Sequence, residues 1–196
     1  MKIIRHSGED YLNLTSGNHR IANCESVVIG GNAKVISIDN CERVYIIHDS
    51  QVANVCHCKE VCVHDNAKVK NISHCGNTCI YGNARINSIT DTDINLIYHN
   101  VRIGSIVNAT IIRAIRGNIK IKYLKNACVT FVGDNVEINK VFSTSLKFIT
   151  DNVKIKHIRG FSSVDSVSDN AEIGIYNGNI KVKNIFDNAV VKQIKI

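Results

Sequence analysis

Two groups of residues have types and spacings that could do chemistry. The first is Cys56-His57-Cys58 together with His74-Cys75, Cys62 and Cys79. Thiolate and imidazole are the usual ligands of zinc, and four of them around one point make a tetrahedral site. The second is a run of cations, Lys68, Arg85, Arg102 and Lys120, accompanied by Tyr81 and Tyr98. Ammonium and guanidinium groups neutralise phosphates, and tyrosine rings stack on bases. The sequence has no nucleophile elbow, phosphate-binding glycine loop or carboxylate pair set apart from the rest. It offers no catalytic residues and reads as non-enzymatic.

Both groups obey one spacing. His57 and His74, Cys62 and Cys79, and Tyr81 and Tyr98 are each 17 residues apart, as are Asn66, Asn83 and Asn100. Ile4, Ile21, Ile38, Val55, Ile72, Ile89 and Ile106 keep the same step of 17. One extra residue enters before Leu124, then Val141 and Ile158 follow at 17, and two steps of 18 lead to Tyr176 and Ile194. A second apolar column runs Leu12, Ile29, Ile46, Val63, Ile80 and Ile97. A fixed period of this length marks a repeat architecture.

Within a unit the apolar or small residues are Val136, Ile138, Val141, Thr144, Leu146 and Ile149. Gaps of two signal short extended pieces, gaps of three signal bends, and helical spacing does not persist. Val and Ile dominate, which favours strands, and proline is absent. The expected fold is all-β: a single-stranded parallel β-solenoid of about eleven coils of 17–18 residues. It forms one domain over residues 1–196. A half-period near 8.5 residues, plainest at Asn170, Asn179 and Asn188, which are nine apart, favours a flattened, two-faced cross-section over a triangular one. Handedness is not written in this pattern.

The repeat also constrains the chemistry. Asn32, Asn66, Asn83, Asn100, Asn118, Asn135, Asn152, Asn170 and Asn188, with Asp49, share one turn position, usually after Gly or Asp. Stacked amides there can bond along the column as asparagine ladders do. Cys24, Cys41, Cys58 and Cys75 form an inward column continued by Thr92 and Ala109, so the site takes small residues and the cysteines pack as thiols. Alternation turns Cys62 and Cys79 outward, away from Cys58 and Cys75, so the full set cannot converge on one ion. Cys56, His57 and His74 are the one arrangement left for a surface metal site, and solenoid spacing alone accounts for their repetition. No metal and no cofactor are expected.

The cations form an outward column, Lys34, Gln51, Lys68, Arg85, Arg102 and Lys120, interrupted by Glu137 before Lys154 and followed by Glu172. Lys70, Lys122, Lys156, Lys183 and Lys192 are expected two residues further along on the same face. Such a column is either a solvated face that guards a sheet against aggregation or a basic stripe for a polyanion. If it binds, the residues are Lys68, Arg85, Arg102, Lys120, Tyr81 and Tyr98.

The net charge of +7 permits a polyanionic partner without naming one. No apolar run approaches the roughly 20 residues of a membrane span, and Met1 to His6 is too short and polar for a signal peptide. Eight cysteines without a secretory signal suggest free thiols in a cytoplasmic, reducing setting. Coils that reach both ends of the sequence without a capping helix predict homo-oligomerisation through an end or a flat face.

The units Asp65 to Val69, Gly82 to Ile86 and Asp169 to Ile173 resemble the Asn-Ala repeats of phage and bacterial β-solenoid proteins. The coil length is more loosely similar to that of bactofilins, which form polymers. The resemblance implies a solenoid and carries no functional residue across. The expected function is a scaffold that presents its repetitive surface to a protein partner or to itself; phage-encoded inhibition of a host protein is one form this could take. The alternatives are nucleic-acid or other polyanion binding, and an enzyme or metal site at a subunit boundary.

Overall fold

The computed structural model describes residues 2–5, 12–14, 18–176 and 180–194. Asn179, and the side chains of Ile4, Leu12, Tyr176 and Ile194, lie outside that description. The chain winds as a parallel β-solenoid, with one strand per coil in a 12-stranded sheet and one in an 11-stranded sheet. No helix occurs among the described residues. The flattened, two-faced form is the one observed.

Register follows the repeat. Ile72 pairs with Ile89, and Ile89 with Ile106, so like residues of successive coils lie over one another. Val136, Ile138, Val141, Thr144, Leu146 and Ile149 are all buried. The two sheets differ in shape because their inward residues are spaced differently. In Lys68–Ser73 the inward residues Val69 and Ile72 are three apart, so the strand bends and two outward residues sit side by side. In Glu60–Val63 the inward pair Val61 and Val63 are two apart, and that sheet stays flat.

Among the described residues, both corners of a coil pass through left-handed backbone, which costs most L residues ~1–2 kcal/mol and is easiest for Gly, Asn and Asp. One corner lies just before the turn asparagine, at Asp65 (φ 57°), Gly82 (φ 69°), Gly117 (φ 93°) and Asp134 (φ 61°). At Gly117 a Cβ would stand 2.5 Å from His99 O, so only glycine fits. The second corner holds Asn23, Asn40, His57, His74, Asp91, Asn108 and Asn126, with φ between 49° and 56°.

Three ladders tie these corners together. The amide ladder is unbroken from Asn170 to Asp49: Asn83 donates to Asn66 at 3.1 Å and Asn118 to Asn100 at 2.9 Å, with equivalent bonds at the other steps. In the left-handed column, the carboxylate of one coil accepts the backbone N–H of the coil before, as Asp134 does from Gly117 at 2.8 Å and Asp151 from Asp134 at 2.9 Å. Asp therefore does more in this column than tolerate the turn. In the cysteine column each thiol donates to the carbonyl two residues back, Cys41 to Asp39 at 3.3 Å and Cys58 to Cys56 at 3.2 Å. The hydroxyls of Thr92 and Thr144 make the same bond. All eight cysteines are thiols outside any disulfide. The Cys41 and Cys75 thiols beside Cys58, together with its burial, push its pKa up.

Three register details depart from the expected spacing. Leu12 pairs with Val27, and it is Leu14 that pairs with Ile29, so the second apolar column does not begin at Leu12. Ile158 pairs with Ile175 rather than Tyr176, because a bulge between Ile155 and Ile158 removes one residue from the step. Lys183 is not on the basic face. It belongs to Lys181–Ile185 in the 11-stranded sheet and pairs with Asp165 at 2.7 Å. The two half-turns of a coil are alike enough that Lys181-Val182-Lys183 mimics Lys154-Ile155-Lys156 of the other sheet.

Candidate binding surfaces and a histidine corner

The outer face of the 12-stranded sheet carries a groove of about 930 Å³. Its rim is the cation column: Lys68, Arg85, Arg102 and Lys120 stand on strands paired in register, one per coil, in steps of ~4.8 Å. Lys70, Asn87, Gly104 and Lys122 form the adjoining lining. Gly104 is required there because a Cβ would meet Asn87 O at 2.4 Å. Among the described residues, no carboxylate lies within ion-pair distance of Lys34, Lys68, Arg85 or Arg102. At the far end Glu137 sits between Lys156 at 2.7 Å and Lys120 at 3.4 Å, and Lys156 first, then Lys120, holds its carboxyl below the usual range.

Tyr81 and Tyr98 are not in this groove. They follow Asn77–Ile80 and Ile94–Ile97 of the other sheet, where Tyr81 tilts against His64 at 5.6 Å and Tyr98 against His99 at 4.1 Å. A hydrogen bond with Cys79, reinforced by burial, pushes the Tyr81 hydroxyl up to about 12. The fold thus brings four of the six expected binding residues together and places the two tyrosines elsewhere.

The outer face of the 11-stranded sheet has a column that the sequence reading missed. Val28, Tyr45, Cys62, Cys79, Leu96, Ala114, Phe131 and Phe148 pair coil to coil without a charged residue. Tyr45 is 37% exposed and Phe148 52%, and the polar Ser166 ends the run. Arg116 covers the Phe131 ring at 4.2 Å. Cys62 is pushed up to about 11 by burial and by Cys79. No letter recurs often enough to reveal this column; only inward-outward alternation summed over eight coils would have shown it.

The histidine corner lies at the ends of two neighbouring strands, Lys34–Asp39 and Gln51–Cys56, which pair in register. Asp39 Oδ1 stands 2.9 Å from His57 Nδ1 and 3.1 Å from Cys56 Sγ. The His57 hydrogen bond, then the Cys56 thiol, holds the Asp39 carboxyl below its usual range. Burial and the Asp39 carboxylate push the Cys56 thiol up to about 12. His57 and His74 stack with ring centroids 5.3 Å apart, and His74 Nε2 lies 3.7 Å from Asp91 Oδ2. Of the expected trio Cys56, His57 and His74, the first two converge, with Asp39 as their common partner.

Comparison with protein-family models, with curated proteins and with solved structures finds no match. No helix among the described residues is long and apolar enough to cross a membrane.

Proposed function

We propose that the protein is a non-enzymatic interaction scaffold that associates with a second copy of itself through the outer face of its 11-stranded sheet. The observation carrying this is the apolar column from Val28 to Phe148, ~34 Å long at one residue per coil. The strip is exposed at Tyr45 and Phe148 and half-buried at its other members, and contiguous apolar surface of this kind marks association sites. A straight column of one chemistry suits an isologous contact, since a two-fold turn sets it against itself. The chain carries +7, which opposes self-association wherever cations face each other, and this column carries no charge.

Sedimentation of the wild-type protein over a wide concentration range should show a concentration-dependent dimer. The double substitution Leu96→Glu with Phe131→Glu should leave monomer only, with its circular dichroism unchanged. A wild type that stays monomeric throughout, or a dimer indifferent to both glutamates, would sink the proposal.

A second reading is favoured by the groove: extended polyanions bound along Lys68, Arg85 and Arg102. Among the described residues no carboxylate pairs with these three, which leaves their charge available to a ligand. The two readings use opposite faces and are compatible.

A further inference from the structure

We infer that Asp39, Cys56 and His57 form a binding site for a divalent transition-metal ion of the zinc class, with one coordination position open. Their carboxylate oxygen, thiol sulfur and imidazole nitrogen all lie within 4.8 Å of one another. One hard and two softer donors suit zinc or a neighbouring first-row metal better than magnesium or calcium, which take oxygen shells. Zinc bonds of 2.0–2.3 Å at tetrahedral angles put ligand atoms ~3.3–3.6 Å apart, so the 2.9 and 3.1 Å separations must open only slightly.

The supports for these side chains are rigid. Asp39 and Cys56 terminate adjacent strands in register, and the His57 backbone is held left-handed at φ 51° with its N–H on Ser73 O at 3.2 Å. The His57 and Asp39 side chains are 62% and 47% exposed, which leaves room for small rotations and a path for the ion. The stacked His74 ring flanks His57 on the next coil.

The departure from the repeat is the second argument. Asparagine or aspartate fills this corner in the coils on both sides, and the amides bond there: Asn40 to Asn23 at 2.7 Å, Asn108 to Asp91 at 3.1 Å and Asn126 to Asn108 at 3.0 Å. His57 and His74 interrupt that ladder, so turn chemistry favours asparagine where imidazole stands. In the strand-end column, Asp39 and Cys56 give way to Ser73, Thr90 and Val107, so the triad arises once among the described residues.

Binding exchanges protons for the metal. Cys56 loses its thiol proton to solvent, and His57 coordinates through Nδ1 with its proton on Nε2. Asp39 stops accepting from both and donates an oxygen to the ion. A dication with one carboxylate and one thiolate leaves the site neutral.

The repeat supplies conservative test variants. Asparagine already occupies the His57 position at Asn40 and Asn108, and serine occupies the Cys56 position at Ser73, so His57→Asn and Cys56→Ser should both fold. Chelator-treated protein titrated with zinc should take up about one ion per chain, and cobalt should give a thiolate charge-transfer band. Each variant should weaken zinc by more than about tenfold and Cys56→Ser should abolish the band. Zinc uptake equal in wild type and His57→Asn, or a cobalt band that survives Cys56→Ser, would overturn the inference. If His57→Asn failed to fold, Cys56→Ser alone would still decide.

Discussion

The side-chain amide of Asn100 donates to Asn83 Oδ1 at 3.1 Å across a step of 17 residues, while Asn118 donates to Asn100 Oδ1 at 2.9 Å. Each asparagine thus serves as donor to one coil and acceptor to the next. Asn100→Ala removes both bonds but leaves the orphaned amides in contact with water, so the expected loss is ~1–2 kcal/mol rather than a buried-polar penalty. Asn100→Asp keeps the acceptor for Asn118 and loses only the donor, and should cost less. Urea unfolding measures both. An Asn100→Ala variant as stable as wild type would mean that the ladder follows from stacking without supporting it.

A second expectation concerns acid. Asp65 is held below its ordinary value of 3.8 by the His64 side chain and then by the His48 N–H, and Asp39 by His57 and Cys56. Asp169 is lowered by the Thr150 hydroxyl and then by the Asp151 N–H. A carboxyl whose folded-state pKa is depressed contributes stability that is complete above its unfolded value and is lost as pH falls through the folded one. Thermal midpoints should therefore fall progressively below about pH 4. Asp65→Asn retains an acceptor oxygen without the charge and should shallow that fall. A midpoint that stays level from pH 5 to about pH 2.5 would contradict the linkage.

The fold was legible because its evidence is a single letter repeated at a single distance. Asn83 over Asn66 and Ile89 over Ile72 needed only counting. The second left-handed corner was hidden because Asn40, His57, Asp91 and Ser143 share a backbone conformation without sharing a side chain. Asp39 went unseen as the partner of His57 for the same reason: its column runs Asp39, Cys56, Ser73, Thr90 and Val107, with no recurring chemistry. The apolar outer column is likewise a mixture, from Tyr45 through Cys79 and Leu96 to Phe148. Tyr81 and Tyr98 mislead in the opposite way. They keep the repeat distance and lie four residues before Arg85 and Arg102, yet a corner separates them from the cations and puts them with the other sheet.

That corner gives the polyanion reading a discriminating test. If an oligonucleotide or sulfated polysaccharide lies in the groove, affinity should fall with salt, with a slope of ~0.7–0.9 per neutralised phosphate for nucleic acid. Arg85→Glu with Arg102→Glu should remove roughly two contacts' worth of that slope, because neither arginine is held by a carboxylate among the described residues. Tyr81→Ala should leave affinity within about twofold of wild type, since the ring stands at the far side of the corner and the hydroxyl bonds Cys79. Stacking on a base would instead make the tyrosine worth ~1–3 kcal/mol, at least a fivefold loss. A strong Tyr81→Ala effect with arginine variants that bind normally would move the ligand from the bent sheet to the flat one. Salt-independent binding would remove the cation column from the mechanism altogether.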